Sequence, residues 1–389
     1  MRPDKTGRSG DQYFHLLGFP SVSRRNPPLG IRKLYFILTP QVETGLSDRL
    51  AADINLLITG VDAVAENALI TWFITDDKPG HRHQLEGLEQ ALGRYTDLHE
   101  RWIHTRGRLQ GIQQALGIKA APPPHLIVAC GHRTHLPALL LRHRYGGRLI
   151  VLMRPSLPLR WFDLCVLPQH DPAPAVTEAP AAVEAPAAID KVLRTEGVLN
   201  AITPAPAQDP TQGLVLIGGP SKHHAWDNGA IVAQLQRLKN ALPEVQWTLT
   251  NSRRTPADFD AAVASTLDAQ LTFVPVGQTP PGWLQQQLQQ RGCVWVSEDS
   301  VSMVYESLSS GARVGLLEVP RRVPRKVPGK APRKGHSRVT AGIDRLLAAR
   351  RLTPLDYLVE QGDMLPAGEP LQEADRVAKY IVARKGWLA

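Results

Sequence analysis

Cysteine is scarce in this sequence: its 389 residues contain three cysteines, and none has a partner at the spacing of a metal-ligand pair. Each lies in or beside an apolar run, which predicts a buried, reduced thiol of the kind found in cytosolic proteins. The three are Cys130, Cys165 and Cys293. The chain therefore differs from small disulfide-stapled secreted proteins, and we predict a cytoplasmic location.

Long hydrophobic segments are also absent. No apolar run approaches the roughly 18 residues that a membrane-spanning helix needs. The amino terminus is basic, but it lacks an apolar core of about 7–15 residues followed by a small-residue cleavage site, so no secretory signal is expected. The composition, 43% hydrophobic and 21% charged, is typical of a soluble globular chain that is long enough for two domains.

Acidic and aromatic residues are missing from one basic segment, residues 321–338, which holds eight Lys/Arg residues and scattered prolines. This composition predicts a solvated loop. Peripheral contact with an anionic membrane is the alternative that its charge leaves open. The whole chain has a formal net charge of +9, but without aromatic residues in the basic segment to stack on bases, specific nucleic-acid binding is not expected.

Apolar strands alternate with helices in two long stretches, residues 69–200 and 210–350. Runs that are apolar throughout are typical of strands buried on both faces of a parallel sheet. We therefore predict two doubly wound, Rossmann-like α/β domains. The predicted strands are residues 68–75, 125–130, 148–153, 162–168, 213–217, 245–249, 293–296 and 314–317.

Three segments fall outside this alternation. Residues 1–68 form a poorly patterned extension, with only weak strand and helix patterns at 33–38 and 49–58. The segment 172–188 consists mostly of Ala, Pro, Val and Glu, which is typical of a semi-rigid or disordered connector. Residues 351–389 form a carboxy-terminal helical segment.

The stretch 294–317 is predicted to form one β-α-β unit. Polar residues up to Ser300 follow its first strand, as at a helix start, and Gly311 ends the helix before the next strand. Ser302 and Glu306 are one helical turn apart, so both side chains lie on one face. Ligands of open α/β sheets bind at this carboxyl edge. A capped helix with a solvated glutamate is the alternative interpretation.

Two earlier strand exits in the same domain carry groups suited to phosphate. The first is a glycine-rich loop that allows close backbone approach beside a helix start. The second contains paired arginines, which suit phosphate recognition although exposed arginines are common. The residues are Gly218, Gly219, Ser221 and Lys222, followed by Ser252, Arg253 and Arg254. Because parallel strands bring all three exits to one edge, we predict a site for a nucleotide diphosphate.

The first strand of the chain also runs into a polar loop and a helix start, which favours a ligand loop. Its spacing is neither that of a Walker A loop nor that of a dinucleotide-binding fingerprint. His81 and His83 are close together, but no Cys or acidic cluster completes a metal site, so no metal is expected. The candidate residues of this loop are Asp77, Lys78, Gly80, His81 and Gln84.

Five motifs in order, over residues 69–360, resemble the mitochondrial-fission "elongated mitochondria" family in its bacterial branch. In the first motif the family pattern reads Asp-Gly-Lys-Pro-Gly-His, whereas Asp77 stands here where glycine is expected. The motifs are Asp77-Lys78-Pro79-Gly80-His81 with Gln84; Arg154-Pro155, Phe162-Asp163 and Pro168 with His170-Asp171; Gly218-Gly219-Pro220-Ser221-Lys222; Ser252-Arg253-Arg254-Thr255-Pro256; and Asp299-Ser300-Val301-Ser302-Met303 with Glu306.

This resemblance implies a GT-B fold, in which two Rossmann-like domains face each other across a cleft and the carboxy-terminal segment returns to the first domain. It implies metal-independent transfer from a nucleotide-sugar that binds as a substrate, without a cofactor. The implied roles are a ribose contact for Glu306, a diphosphate contact for Gly219, Ser221 and Lys222, leaving-group neutralisation for Arg253 and Arg254, and general-base catalysis for His81. The alternative is a non-catalytic scaffold that recruits a protein partner.

Overall fold

Parallel strand pairing organises the whole described chain. The computed structural model describes residues 68–105, 122–169, 191–322, 338–384 and 386–387. Within them, strands form two six-stranded sheets in which neighbouring strands run parallel, and both sheets belong to one compact unit. This confirms the predicted fold class. The weak patterns at 33–38 and 49–58, and the connector at 172–188, lie outside the described residues.

The first sheet has the strand order β2-β1-β3-β4-β5-β6. Strands β1, β3 and β5 are buried along their full length, as their continuous apolar sequences predict. Its strands are β1 Leu69–Thr75, β2 Leu98–His104, β3 Leu126–Cys130, β4 Arg148–Leu152, β5 Leu164–Pro168 and β6 Val192–Thr195, and its helices are α1 Pro79–Gly93 and α2 His135–Tyr145.

The second sheet has the order β12-β11-β10-β7-β8-β9. Its strands are β7 Asp209–Leu216, β8 Gln246–Thr250, β9 Leu271–Val274, β10 Arg291–Ser297, β11 Arg313–Leu317 and β12 Thr353–Pro354. The helices that follow β6 are α3 Asn228–Ala241, α4 Phe259–Val263, α5 Trp283–Gln290, α6 Val301–Ser310, α7 Arg338–Ala348, α8 Leu355–Gln361 and α9 Glu373–Val382. None of the described helices has the length and apolar character needed to cross a bilayer.

The strand order creates an equivalent crevice in each sheet. β1 pairs with β2 on one side and β3 on the other, so the connections that leave β1 and β3 diverge at the carboxyl edge. In the second sheet, β7 pairs with β8 on one side and with β10 on the other, so the connections that leave β7 and β10 diverge in the same way. Such a point of diverging connections is where open α/β sheets bind ligands.

Two segments cross between the sheets, and both contact α6. The first crossing follows β6, and its Asn200 side chain donates to Ser309 Oγ at 3.0 Å. The second lies between α8 and α9, where the Leu371 N–H donates to Leu308 O at 3.2 Å. Beyond it, α9 packs into the core of the first sheet, and Arg94 Nη2 at the end of α1 lies 3.1 Å from Asp375 Oδ1. The described chain therefore ends against the sheet where it began.

Candidate active site

The glycine loop after β7 packs against a buried carboxylate just beyond β10. The Gly219 N–H donates to Asp299 Oδ2 at 2.8 Å. The Gly218 N–H donates to Ser297 Oγ at 2.7 Å, and this hydroxyl donates to Asp299 Oδ1 at 2.8 Å. A Cβ on Gly218 would lie 2.2 Å from Asp299 Oδ2, so only glycine allows this packing. The loop N–H groups that were expected to hold a diphosphate thus already have acceptors within the protein.

The two neighbouring arginines after β8 have different surroundings. Arg254 Nη2 donates to Asp299 Oδ2 at 2.8 Å, and its Nη1 donates to Gly219 O at 3.0 Å. Ser252 Oγ donates to Gly218 O at 2.9 Å. Arg253 is exposed, and it makes no hydrogen bond or ion pair with the described residues. Ser252 and Arg254 therefore hold the glycine loop in place, whereas the Arg253 guanidinium is available to a ligand.

The remaining candidates of the second sheet lie at its carboxyl edge. Ser221 Oγ accepts from the His224 N–H at 3.1 Å and so stabilises the turn, while Lys222 is exposed. Ser300 lies at the start of α6, but its side chain makes no capping hydrogen bond, and Ser302 is exposed on the first turn. None of these four residues lies in the wall of the cavity that separates α1 from the carboxyl edge of the second sheet.

A cavity of about 710 Å³ lies between α1 and the carboxyl edge of the second sheet. Arg253 and Glu306 contribute to its wall, as do Arg82 and His83 from α1 and Trp283 from α5. Its volume is within the range of small-molecule sites, which is about 300–1,000 Å³. The cavity thus combines a cation, a carboxylate and an apolar surface.

One contact joins the two sheets across this cavity. His83 Nδ1 lies 3.8 Å from Glu306 Oε1. The side chain of Glu306 is only 10% exposed, whereas that of His83 is 58% exposed. The carboxylate of Glu306 raises the pKa of His83 above its ordinary value, and this effect outweighs the lowering by burial. The carboxylate that is expected to hold a ribose therefore faces an imidazole.

His81 belongs to a separate cluster at the crevice of the first sheet. Its Nδ1 lies 2.7 Å from Asp76 Oδ1, and the Asp76 side chain is fully buried. Burial by itself would raise the pKa of Asp76, but the hydrogen bond and charge of His81, together with the charge of Lys78, hold it below the ordinary value. A carboxylate that accepts from Nδ1–H leaves the Nε2 lone pair free to accept a proton. Gly131 makes room for this pair, because a Cβ there would lie 2.6 Å from His81 Nδ1.

The loop between β1 and α1 has a left-handed backbone at position 77, where the family pattern has glycine. Asp77 has a φ of +59°, in the left-handed region that glycine adopts freely and that aspartate tolerates better than most residues. Its carboxylate Oδ1 lies 2.6 Å from His104 Nδ1 at the end of β2. Further along, Gln84 Nε2 donates to Gly80 O at 3.0 Å within α1. An aspartate at position 77 is therefore compatible with the backbone conformation that glycine favours.

The candidates of the second domain lie at the carboxyl edge of its sheet, but the sequence did not single out their partners. Asp76, Asp299 and Gly131 are structural partners of the candidates, and His83 rather than His81 faces Glu306. Each of the two aspartates comes one or two residues after a buried strand, and that position was the available signal. Among the described residues, no group of three or more His, Cys, Asp or Glu side chains could hold a metal ion.

Similarity to known proteins indicates the family and the fold of this chain. The model of a family described as "Mitochondrial fission ELM1" matches residues 79–385. An uncharacterised protein of Rickettsia prowazekii (strain Madrid E) is 32% identical in an alignment of 118 residues, which covers 26% of this chain and only 32% of the relative. A Listeria monocytogenes protein assigned as a UDP-N-acetylglucosamine 2-epimerase is 12% identical with a TM-score of 0.53, over 81% of this chain and 95% of that chain. At that identity the likeness concerns the fold alone.

Proposed function

Because the chain belongs to the mitochondrial fission ELM1 family and has the two-sheet fold of GT-B glycosyltransferases and epimerases, we propose that it binds a nucleotide-diphosphate sugar. The observation that carries the proposal is the cavity of about 710 Å³, with Arg253 and Glu306 in its wall. In this proposal Arg253 neutralises the diphosphate, and Glu306 accepts hydrogen bonds from ribose hydroxyls. Trp283 supplies an apolar surface against which a base can pack.

Glycosyl transfer is the reaction that we propose for this site, with His81 from the crevice of the first sheet as the base. An acceptor hydroxyl attacks the anomeric carbon, its proton passes to His81 Nε2, and the bond from that carbon to the diphosphate breaks. Asp76 keeps the proton of the resting imidazole on Nδ1 and stabilises the imidazolium that forms. Arg253 balances the charge of the leaving diphosphate, so the proposed step uses no metal.

A non-catalytic scaffold is the second candidate. It is favoured by the N–H groups of the glycine loop, which are satisfied by Ser297 and Asp299 rather than open to a phosphate. Under this proposal the same fold presents a surface to a protein partner. Contact of the basic segment 321–338 with anionic lipid is compatible with either candidate and stays a separate proposal.

Binding assays separate the two candidates. A thermal-shift screen with UDP-, GDP-, ADP- and CMP-sugars should find one nucleotide series that stabilises the protein, and calorimetry should then give its Kd. Glu306→Ala removes the charge-assisted contact with the ribose, so affinity should fall about 10- to 150-fold, equal to roughly 1.5–3 kcal/mol. Absence of binding at millimolar nucleotide-sugar would overturn the enzyme proposal and favour the scaffold.

A further inference from the structure

A turn of four residues, 131–134, joins β3 to α2 at the crevice of the first sheet, and we call it the β3–α2 turn. Its first residue, Gly131, lies against the Asp76–His81 pair. A Cβ on this glycine would be 2.6 Å from His81 Nδ1 and 3.0 Å from Asp76 Oδ2. The turn therefore borders the imidazole that serves as the base in the proposed reaction.

The start of α2 presents backbone donors at this turn. Thr134 precedes the helix, but its hydroxyl donates to Gly131 O at 2.7 Å and makes no capping bond. The first turn of the helix has no acidic residue. Open N–H groups at a helix start attract anions, although water alone can also satisfy them. Four N–H groups have no acceptor among the described residues, those of His132, Arg133, His135 and Leu136.

The side chains of the β3–α2 turn add positive charge to these donors. His132 and Arg133 are exposed, and neither side chain makes a hydrogen bond or ion pair with the described residues. Burial lowers the pKa of His135 to about 4, and the charges of His132 and His81 act in the same direction. The three imidazoles are therefore close enough to sense one another's charge.

Two carboxylates lie in the neighbouring loop, and cationic groups of the protein accompany both. Asp77 Oδ1 lies 2.6 Å from His104 Nδ1. Asp76 Oδ1 lies 2.7 Å from His81 Nδ1, while Lys78 Nζ is 3.4 Å from Asp76 Oδ2 without hydrogen-bond geometry. Asp76 Oδ2 is therefore a buried acceptor that has no hydrogen-bond donor among the described residues. A ligand with both an anionic group and hydroxyl groups matches this set of open donors and acceptors.

We propose that the acceptor of the transfer reaction is a water-soluble phosphorylated polyol that binds at the β3–α2 turn. Its phosphate binds the open N–H groups together with His132 and Arg133. One hydroxyl takes the place of Lys78 at Asp76 Oδ2. A second hydroxyl bonds to the anomeric carbon, its proton passes to His81 Nε2, and the nucleotide diphosphate leaves. A neutral acceptor would leave the cationic side chains of the turn without a partner.

The acceptor role rests on the proposed function, but the anion site can be measured without it. Lys78, His132 and Arg133 all lie outside the wall of the cavity of about 710 Å³, where the nucleotide-sugar is proposed to bind. Binding at the β3–α2 turn and binding in that cavity are therefore separate observations.

Histidine side-chain NMR of the full chain tests the proposal, with glycerol 3-phosphate, inorganic phosphate and glycerol as probes. Glycerol 3-phosphate should shift the signals of both His132 and His81. Inorganic phosphate should shift that of His132 alone, because it has no hydroxyl-bearing carbon chain to reach the base. Glycerol should shift neither signal at the same concentration, because it lacks the anionic group.

One pair of variants on α2 and its turn supplies the matched control. His132→Asp should weaken binding of glycerol 3-phosphate at least about tenfold, measured on the His81 signal, since it replaces a charge-assisted contact by repulsion. His143→Asp makes the same change at an exposed position roughly 15 Å further along α2, beyond the screening length, and should keep the affinity within about twofold.

The proposal is overturned if glycerol 3-phosphate shifts neither histidine, or if the two aspartate variants bind it equally well. It is also overturned if Arg253→Ala rather than His132→Asp removes the binding, because the phosphate then lies in the cavity. Equal shifts of His132 alone by both phosphates would mean that the turn binds an adventitious ion only. Failure of these tests in a protein that binds nucleotide-sugar refutes the acceptor alone, whereas failure to bind any nucleotide-sugar refutes the proposed function and the acceptor role with it.

Discussion

Replacing Arg253 and Arg254 with alanine, one at a time, separates ligand binding from loop integrity. Arg253→Ala removes a guanidinium that is exposed in the cavity wall and unpaired with the described residues. A charge-assisted contact with a diphosphate is worth roughly 1.5–3 kcal/mol, so affinity should fall about 10- to 150-fold. The free energy of unfolding should change by no more than about 0.5 kcal/mol, because no contact of the folded state is lost.

Arg254→Ala should instead lower the stability of the fold and have little effect on nucleotide affinity. It removes the 2.8 Å bond to the buried carboxylate of Asp299 and the bond to Gly219 O. The Arg254 side chain is 43% exposed, so water screens the pair and we expect a loss of only about 1–2 kcal/mol. For a domain of this size that lowers Tm by about 2–8 °C. Nucleotide affinity should fall by less than about fivefold, equal to roughly 1 kcal/mol.

Calorimetric titration with the best nucleotide-sugar and thermal melts of both variants measure these quantities. Arg253→Lys is the matched control, since it keeps the charge but loses the planar fork, and it should recover part of the affinity. If Arg254→Ala loses affinity as strongly as Arg253→Ala with an unchanged Tm, the side chain of Arg254 must leave Asp299 to bind the ligand. The division of roles drawn from the structure would then be wrong.

Three further outcomes follow from the site. His81→Ala should leave nucleotide-sugar affinity nearly intact and lower turnover about 10²–10⁴-fold, as release of nucleotide diphosphate would show, and normal turnover would exclude His81 as the base. The pKa of His83 is raised by Glu306, so their ion pair is present at low pH and is lost as pH rises through the raised pKa. Nucleotide-sugar affinity should therefore increase as pH rises above about 6.5, the ordinary pKa of histidine, and His83→Ala should abolish that dependence. Asp77→Val places a β-branched residue at a φ of +59° and should cost about 1–3 kcal/mol in melts, whereas Asp77→Gly should cost less than about 1 kcal/mol.

Burial distinguishes the strands that the sequence predicted from the elements that it missed. β1, β3 and β5 are buried on both faces, so continuous apolar runs reveal them. β2 has the sequence LHERWIH and is mostly half-buried at the edge of its sheet, so charged residues interrupt its pattern. α5, with the sequence WLQQQLQQ, has too few apolar residues to stand out from a loop.

The candidate site was predictable to the level of loops but not of individual bonds. Parallel topology brings every strand exit to one edge, so any polar exit loop of the second domain was a reasonable candidate. Whether Arg253 or Arg254 is engaged by Asp299 depends on side-chain directions in two loops that are 45 residues apart in sequence. Local pattern carries no information about such a contact.

Both segments that cross between the sheets are hydrogen-bonded to α6, the helix that carries Glu306. Asn200 in the first crossing and Leu371 in the second are both hydrogen-bonded to this helix, at Ser309 and Leu308. We expect any rotation of one sheet against the other to bend these two connecting segments and to be transmitted to α6. Such a rotation would move Glu306 together with its helix, so a ligand bound to this carboxylate should restrict the movement of the two sheets.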